Sequence, residues 1–311
     1  MRTPTGRRVS SSRRDDESFR SEPGTAGCQR RADAVTVVAP PSAPRVSVAW
    51  RLLTGLVCSK ATPPDPRHDG RVKVIDLNAD LGESFGNWRM GDDAALLDVV
   101  TSANVACGFH AGDPRTIRRT VELAAERGVV IGAHVAYPDL VGFGRRALDI
   151  DPADLEADVL YQLGALDAMC RVAATTVRYV KPHGALYHRV NADPAQAEAL
   201  ARAVAAFDAT LPLLGAAGPL IDAAARHGLR VVGEGLTDRA YRPDGSLVSR
   251  GEPGAVHNDS DAIVAQALLL AARPAIDSLC LHGDTANAAD HARAVRQALS
   301  ECRYELRSFV R

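Results

Sequence analysis

The chain has 311 residues, 46% of them hydrophobic and 24% charged, with a formal net charge of −1 at pH 7. That is the composition of a soluble globular protein large enough for one α/β barrel or two small domains. No run approaches the roughly 18 uninterrupted apolar residues of a membrane span, and the Met1 end lacks the charged-then-apolar order of a secretory signal, so a cytoplasmic protein is expected.

Charge divides the chain. Residues 1–70 carry 12 Lys+Arg against 7 Asp+Glu, and the remainder carries 25 against 31. The first segment is rich in Arg, Ser and Pro, has little apolar periodicity outside Val46 to Val57, and reads as a disordered or mis-called N-terminal extension. A nucleic-acid-binding arm is disfavoured, because Asp15, Asp16 and Glu17 interrupt the arginines. The same acids argue against a transit peptide. Residues 71–311 are then expected to form a single domain. The six cysteines are scattered without CxxC spacing, which indicates neither a structural zinc site nor a disulfide framework.

From Val72 onward short apolar runs alternate with segments of helical spacing. The runs are Val72 to Leu77, Asn104 to Cys107, Val129 to Ala133, Val177 to Val180, Pro212 to Gly215, Leu229 to Val232 and Leu279 to Leu281. Three helix starts are marked by Asp113-Pro114, Asp151-Pro152 and Asp193-Pro194. Each puts a capping carboxylate before a proline whose missing N–H costs nothing at the first helical position. Strand, loop and helix therefore repeat about seven times. This predicts an α/β fold, a distorted (β/α) barrel of about seven parallel strands. GxGxxG and GxxxxGK[ST] loops are absent, which removes the usual dinucleotide and P-loop signatures. The long segment Leu236 to Asp261 breaks the rhythm and is expected to be an active-site loop.

In such a barrel the loops after the strands share one face, so polar residues at those ends converge. The first strand runs into Asp76, Asn78, Asp80 and Glu83, the second into Asn104, His110 and Asp113, and the third into His134 and Asp139. The fourth delivers Lys181 and His183, the sixth Glu234, and the last His282 and Asp284. A histidine at one strand end is more often a structural hydrogen-bonding group than a catalyst. Six strand ends aimed at one face are what a pocket holding acid, base and electrostatic stabiliser requires.

Lys181 is one of three lysines, with Lys60 and Lys73, in a chain that otherwise uses arginine for positive charge. Its position suggests a site that wants a compact ammonium to neutralise a carboxylate or a developing oxyanion. The run Gly142-Phe143-Gly144-Arg145-Arg146 is either an ordinary exposed turn or a holder of a substrate anion by forked guanidinium groups.

Several of these segments carry a family resemblance. Ile75 to Glu83 (IDLNADLGE), Gly91-Asp92-Asp93, Ser102 to Asp113 (SANVACGFHAGD), Tyr137 to Arg146 (YPDLVGFGRR), Val180 to Tyr187 (VKPHGALY) and His282-Gly283-Asp284-Thr285 resemble the LamB/YcsF family of 5-oxoprolinase components. The likeness runs from about Val72 to the C-terminus in consistent order. Ala79 stands where the family often has cysteine, so a thiol there is not essential.

The resemblance implies a barrel of the glycoside hydrolase/deacetylase type. It further implies an enzyme that works with 5-oxoprolinase subunits B and C to couple ATP hydrolysis to opening of 5-oxoproline, giving L-glutamate. ATP with Mg is the implied cofactor, its seat left open between this chain and its partners. In that reaction Lys181 and Arg146 are expected to stabilise anions and Asp80, Glu83 or His110 to act as base. His183 or His282, oriented by Asp284, is expected to act as acid. Asn78, Asn104, His134, Arg145, Arg146 and Glu234 are expected to contact substrate. Two other readings stay open: a stand-alone metal-dependent amidohydrolase with ligands from Asp80, His110, His134 and His183, and a noncatalytic component that binds substrate.

Overall fold

The structure, a computed structural model, describes residues 72–310 except 217. The reading of residues 1–70 falls outside the described residues. Seven strands, β1 (Val74–Leu81), β2 (Ser102–Ala106), β3 (Val130–Val135), β4 (Tyr179–Pro182), β5 (Leu213–Gly215), β6 (Val231–Leu236) and β7 (Ser278–Leu281), pair in parallel in sequence order. Pairing of β1 with both β2 and β7 closes the barrel. A two-residue strand, β8 (Glu305–Leu306), adds to the start of β1. The expected barrel is therefore present, with the expected number of strands.

Helices cover the outside of this barrel. The three Asp-Pro starts open α2 (Pro114–Glu126), α3 (Pro152–Val172) and α5 (Pro194–Asp208), and in each the aspartate accepts from backbone N–H groups of the first turn. The remaining helices are α1 (Asp93–Leu97), α4 (Gly184–Val190), α6 (Pro219–Arg226), α7 (Ser260–Ala271) and α8 (Ala288–Glu301). Between strands and helices lies the main apolar core, to which β1 contributes Ile75, Leu77, Ala79 and Leu81. Ala79 thus faces the helices, away from the barrel axis.

The alternate residues of β1 point inward and are polar: Asp76, Asn78 and Asp80, all buried. For this reason the strands run further than their apolar runs suggest, β1 to Leu81 instead of Leu77, β3 to Val135, β4 to Pro182 and β6 to Leu236. The lower barrel is closed by a small apolar plug of Tyr179, Leu214 and Val232, against which Val130, Phe309 and Val310 pack. Gly132 makes room for it, since a Cβ at that position would lie 2.2 Å from the Tyr179 ring. Above the plug, Asp76 accepts from the hydroxyls of Thr101, Ser102 and Ser278, and burial raises its pKa to about 6.

Cys107, Cys170 and Cys280 are buried free thiols.

Candidate active site

The upper half of the barrel holds one continuous polar network. Lys181, inward on β4, donates to Asp80 Oδ1 at 3.0 Å and Glu234 Oε1 at 2.9 Å, and lies 3.0 Å from Cys280 Sγ. Asn104 donates to Asn78 at 2.6 Å and Asp80 at 2.8 Å, and Tyr179 donates to Asn104 Oδ1 at 2.6 Å. Asn78 in turn reaches Ser278 and Glu234. Burial alone would depress the Lys181 ammonium, yet the Asp80 carboxylate and its neighbours Cys280 and Glu234 hold its pKa well above the usual lysine value. Burial likewise acts to raise Asp80, but His134 and Lys181 outweigh it and hold the carboxyl well below its ordinary range. Glu83 is pushed the other way, up, by burial and by the charges of Asp80 and Asp284.

Four histidines lie around this network. His134 Nδ1 is 3.1 Å from the Lys181 carbonyl oxygen, and its Nε2 is 3.4 Å from Asp80 Oδ2 and 2.9 Å from His183 Nδ1. His183 Nε2 is 2.9 Å from the Phe143 carbonyl. His110 stacks on His183, with ring centroids 3.8 Å apart, and reaches Glu83 Oε1 at 3.1 Å. Burial is the leading cause of depressed pKa values at His110 and His183. His282 presents Nε2 toward Asp80 Oδ2 at 3.8 Å.

The glycine run shapes this corner. Gly144 has φ of +63°, and a Cβ there would lie 2.8 Å from both His110 Cβ and His183 Cδ2, so only glycine lets the loop close on the two rings. In doing so it brings the Phe143 carbonyl onto His183.

A cavity of about 510 Å³ opens above the network. Of the expected site residues, Asp80, His134, Arg145, Lys181, His183 and His282 line it. Asn78, Asn104, Glu83 and His110 are buried behind them, and Glu234 stands in the wall of a second cavity beside Tyr187 and Tyr241. The segment 237–259 lines the first cavity through Arg239, Leu247, Val248, Ser249, Arg250 and Gly251, as expected of an active-site loop. Arg239 ties that loop down by donating to the Val248 and Ala255 carbonyls.

Two expectations are placed differently. Asp284 does not orient His282: it accepts from Arg145 at 2.5 Å and lies 4.0 Å from Arg250. The partner of His282 is Asp238, whose oxygens are 2.8 and 2.9 Å from Nδ1. Arg146 is outside the cavity, bound to Asp139 with its side chain 62% exposed. Arg145 and Arg250 supply the guanidinium groups at the rim instead. Asp238, Arg250, Cys280 and Tyr179 were not singled out from the sequence. Asp238 was within reach of it, being the first residue of the Asp238-Arg239 pair that follows β6.

Residues 75–311 match the LamB/YcsF family. A protein of Nocardia farcinica, named as the A component of 5-oxoprolinase, is 54% identical over 249 residues, covering 76% of this chain and 99% of that protein. Its namesake in Mycobacterium leprae is 53% identical over 252 residues, covering 76% of this chain and all of that protein. Among solved structures, a lactam utilization protein of Thermus thermophilus is 42% identical, superposes with a TM-score of 0.71, and is covered completely by 76% of this chain.

Proposed function

The chain belongs to the LamB/YcsF family, and from that premise we propose that it is the lactam-opening component of an ATP-dependent 5-oxoprolinase. The observation that carries the reading is the buried ammonium of Lys181, fixed between Asp80 and Glu234 in the wall of a cavity that is also lined by His282, whose Nδ1 is held by the buried Asp238. A five-membered lactam is a poor electrophile with a poor leaving group. Opening it needs an activated carbonyl, a donor for negative oxygen and a proton for the departing nitrogen.

In this reading ATP, carried with Mg, activates the amide oxygen by phosphorylation, and water adds to the carbonyl carbon. Lys181 faces the oxygen on which charge gathers. His282 Nε2 takes the proton of the attacking water and returns it to the ring nitrogen as the C–N bond breaks, while the Asp238 carboxylate stabilises the intervening imidazolium; the phosphoryl group stays on the new carboxyl as an acyl phosphate, which a second water hydrolyses to glutamate and inorganic phosphate. Arg145 and Arg250 at the rim bind the substrate carboxylate. The B and C components of 5-oxoprolinase are the partners of this reading, residues 71–311 its working domain, and the cytoplasm its compartment. Among the described residues no helix is long and apolar enough to cross a membrane.

The test is glutamate release from 5-oxoproline by the purified chain, with and without ATP and with and without the B and C components. Release that needs all of them is the expected result. Release by the chain alone, without ATP and stopped by a chelator, would replace this reading by a stand-alone amidohydrolase.

A further inference from the structure

The cavity carries more positive charge than one lactam can use. 5-Oxoproline brings a single carboxylate, for which Arg145 and Arg250 at the rim suffice, and Lys181 on the floor is matched by Asp80 and Glu234. A third guanidinium, that of Arg239, lines the same cavity. Arg239 is only 3% exposed, and among the described residues no carboxylate lies within ion-pair distance of it, since its neighbour Asp238 is taken by His282. Nε and Nη2 donate to the Ala255 and Val248 carbonyls, at 3.3 and 2.6 Å, and Nη1 takes part in neither bond. Burial first, and the charge of Arg250 second, lower its pKa. A buried cation in this position needs an anion, and no side chain supplies one.

Two uncommitted donors stand on the same wall. His188, on α4, lines the cavity. After burial, the charges of Arg239 and Arg250 are what lower its pKa, so its ring lies near both guanidinium groups. Ser249 lines the cavity from the loop itself, and its hydroxyl makes no hydrogen bond among the described residues.

Building on the lactam reading, we infer that Arg239 Nη1, the Ser249 hydroxyl and the His188 ring form a second anion seat in this cavity, and that it takes the phosphoryl group which activates the lactam oxygen. Lys181 meets that oxygen from the buried floor, so a phosphoryl group attached to it projects away from the network and toward segment 237–259. Tetrahedral, with its charge spread over the terminal oxygens, such a group suits donors that arrive from different elements. Arginine fits this place better than lysine, because burial beside other cations leaves a guanidinium charged where an ammonium would give up its proton. After the acyl phosphate is hydrolysed, the same seat holds inorganic phosphate until it leaves. The substrate carboxylate keeps Arg145 and Arg250.

The experiment is calorimetric titration of the full-length chain with inorganic phosphate, without ATP or partner components, in buffer containing a chelator so that no metal ion carries the phosphate. Saturable one-to-one binding is expected, both in the absence of 5-oxoproline and with 5-oxoproline at saturation. Arg239→Lys is expected to weaken phosphate binding by about tenfold or more, and Ser249→Ala and His188→Ala by roughly threefold to tenfold each. Arg239 also ties down the loop, so the Ser249 and His188 variants, whose side chains hold no loop bond, carry the test if Arg239→Lys loosens it. Their 5-oxoproline binding, measured in the same way, is expected to stay within about twofold of the unsubstituted chain. Three outcomes overturn the inference: no phosphate binding, phosphate that displaces 5-oxoproline one for one, or phosphate binding untouched by the Ser249 and His188 substitutions. None of them touches the lactam reading, which stands or falls on glutamate release. Saturable phosphate binding in a chain whose complete system releases no glutamate would count against that reading and leave the seat in place.

Discussion

Asp238 grips His282 with both carboxylate oxygens, at 2.8 and 2.9 Å from Nδ1, and so turns Nε2 of the ring toward Asp80 and the cavity. The His282 ring keeps Asp238 ionised against burial, and its pKa lies below the ordinary value. Charge and tautomer are thus fixed by one contact.

Replacing Asp238 by Asn keeps the shape and removes the charge that stabilises a protonated His282. The expected outcome is a fall in kcat of about 100-fold or more with KM little changed, measured as glutamate release by the complete ATP-dependent system. His282→Ala is expected to lose as much, and the double variant little more, because the two residues act as a unit. A D238N enzyme with full kcat would remove the pair from the mechanism.

Lys181 holds together two carboxylates that are otherwise buried side by side. Lys181→Met leaves Asp80 and Glu234 without their common counter-ion, and a buried charge stripped of its partner typically costs about 3–5 kcal/mol. Urea unfolding is expected to show a loss of that size. Adding Glu234→Gln should restore part of the stability while activity stays abolished, which separates the structural share of Lys181 from its role at the substrate oxygen.

The barrel and its helix starts were legible because their signals are local. Asp113-Pro114, Asp151-Pro152 and Asp193-Pro194 each cap and start a helix using neighbouring atoms only. The strand ends were less legible. Asn78, Asp80, His134, Lys181 and Glu234 look like the beginnings of loops, yet they continue the strands, because the interior of this barrel is polar. Convergence of those residues on one site was readable from barrel topology. Pairing was not: whether His282 meets Asp284, two residues away, or Asp238, on a different loop, depends on the path of segment 237–259, which no periodicity encodes. The same holds for Arg145 and Arg146, adjacent in sequence and sent to opposite sides by the turn at Phe143 and Gly144, both at positive φ.

Asp76 gives the fold a pH dependence of its own. Its pKa rises from 3.8 to about 6, mainly through burial. Below about pH 4 the group is protonated in both folded and unfolded chains. Between about 4 and 6 the unfolded chain releases the proton and the folded chain keeps it, so stability falls as pH rises through this window, and the loss of about 3 kcal/mol persists above it. Asp76→Asn is expected to lack this component. Urea midpoints of both proteins at about pH 4.5 and 7.5 test it, and parallel changes in the two would place the titration elsewhere.

Gly132 is a strand residue whose missing side chain is occupied by another ring. A Cβ there would fall 2.2 Å from two atoms of Tyr179, whose hydroxyl is held by Asn104 2.6 Å away, so the ring cannot retreat without breaking the polar layer beneath Asp80. Gly132→Ala is expected to destabilise the chain by about 1–3 kcal/mol or more through overpacking. Thermal unfolding reads the loss. Tyr179→Phe in the same background should not relieve it, since the clash is with the ring and not with the hydroxyl.

Arg145, Arg146 and Arg250 separate binding from decoration at the cavity rim. Arg146 is consumed by Asp139 and faces solvent, so Arg146→Ala is expected to leave KM for 5-oxoproline within about twofold. Arg250 lines the cavity and is only loosely opposed by Asp284 at 4.0 Å, which leaves its guanidinium able to take a carboxylate from the substrate. A hydrogen-bonded contact to a charged group contributes about 1.5–3 kcal/mol, so Arg250→Ala should raise KM roughly tenfold to a hundredfold with little change in kcat. Arg145 is tied more tightly to Asp284, at 2.5 Å, and packs its guanidinium 4.7 Å from the centre of the Phe143 ring, next to the carbonyl that holds His183. Its loss is therefore expected to lower kcat as well as raise KM. A uniform effect of all three substitutions would mean that the rim acts through overall charge, and that the substrate carboxylate has no specific seat there.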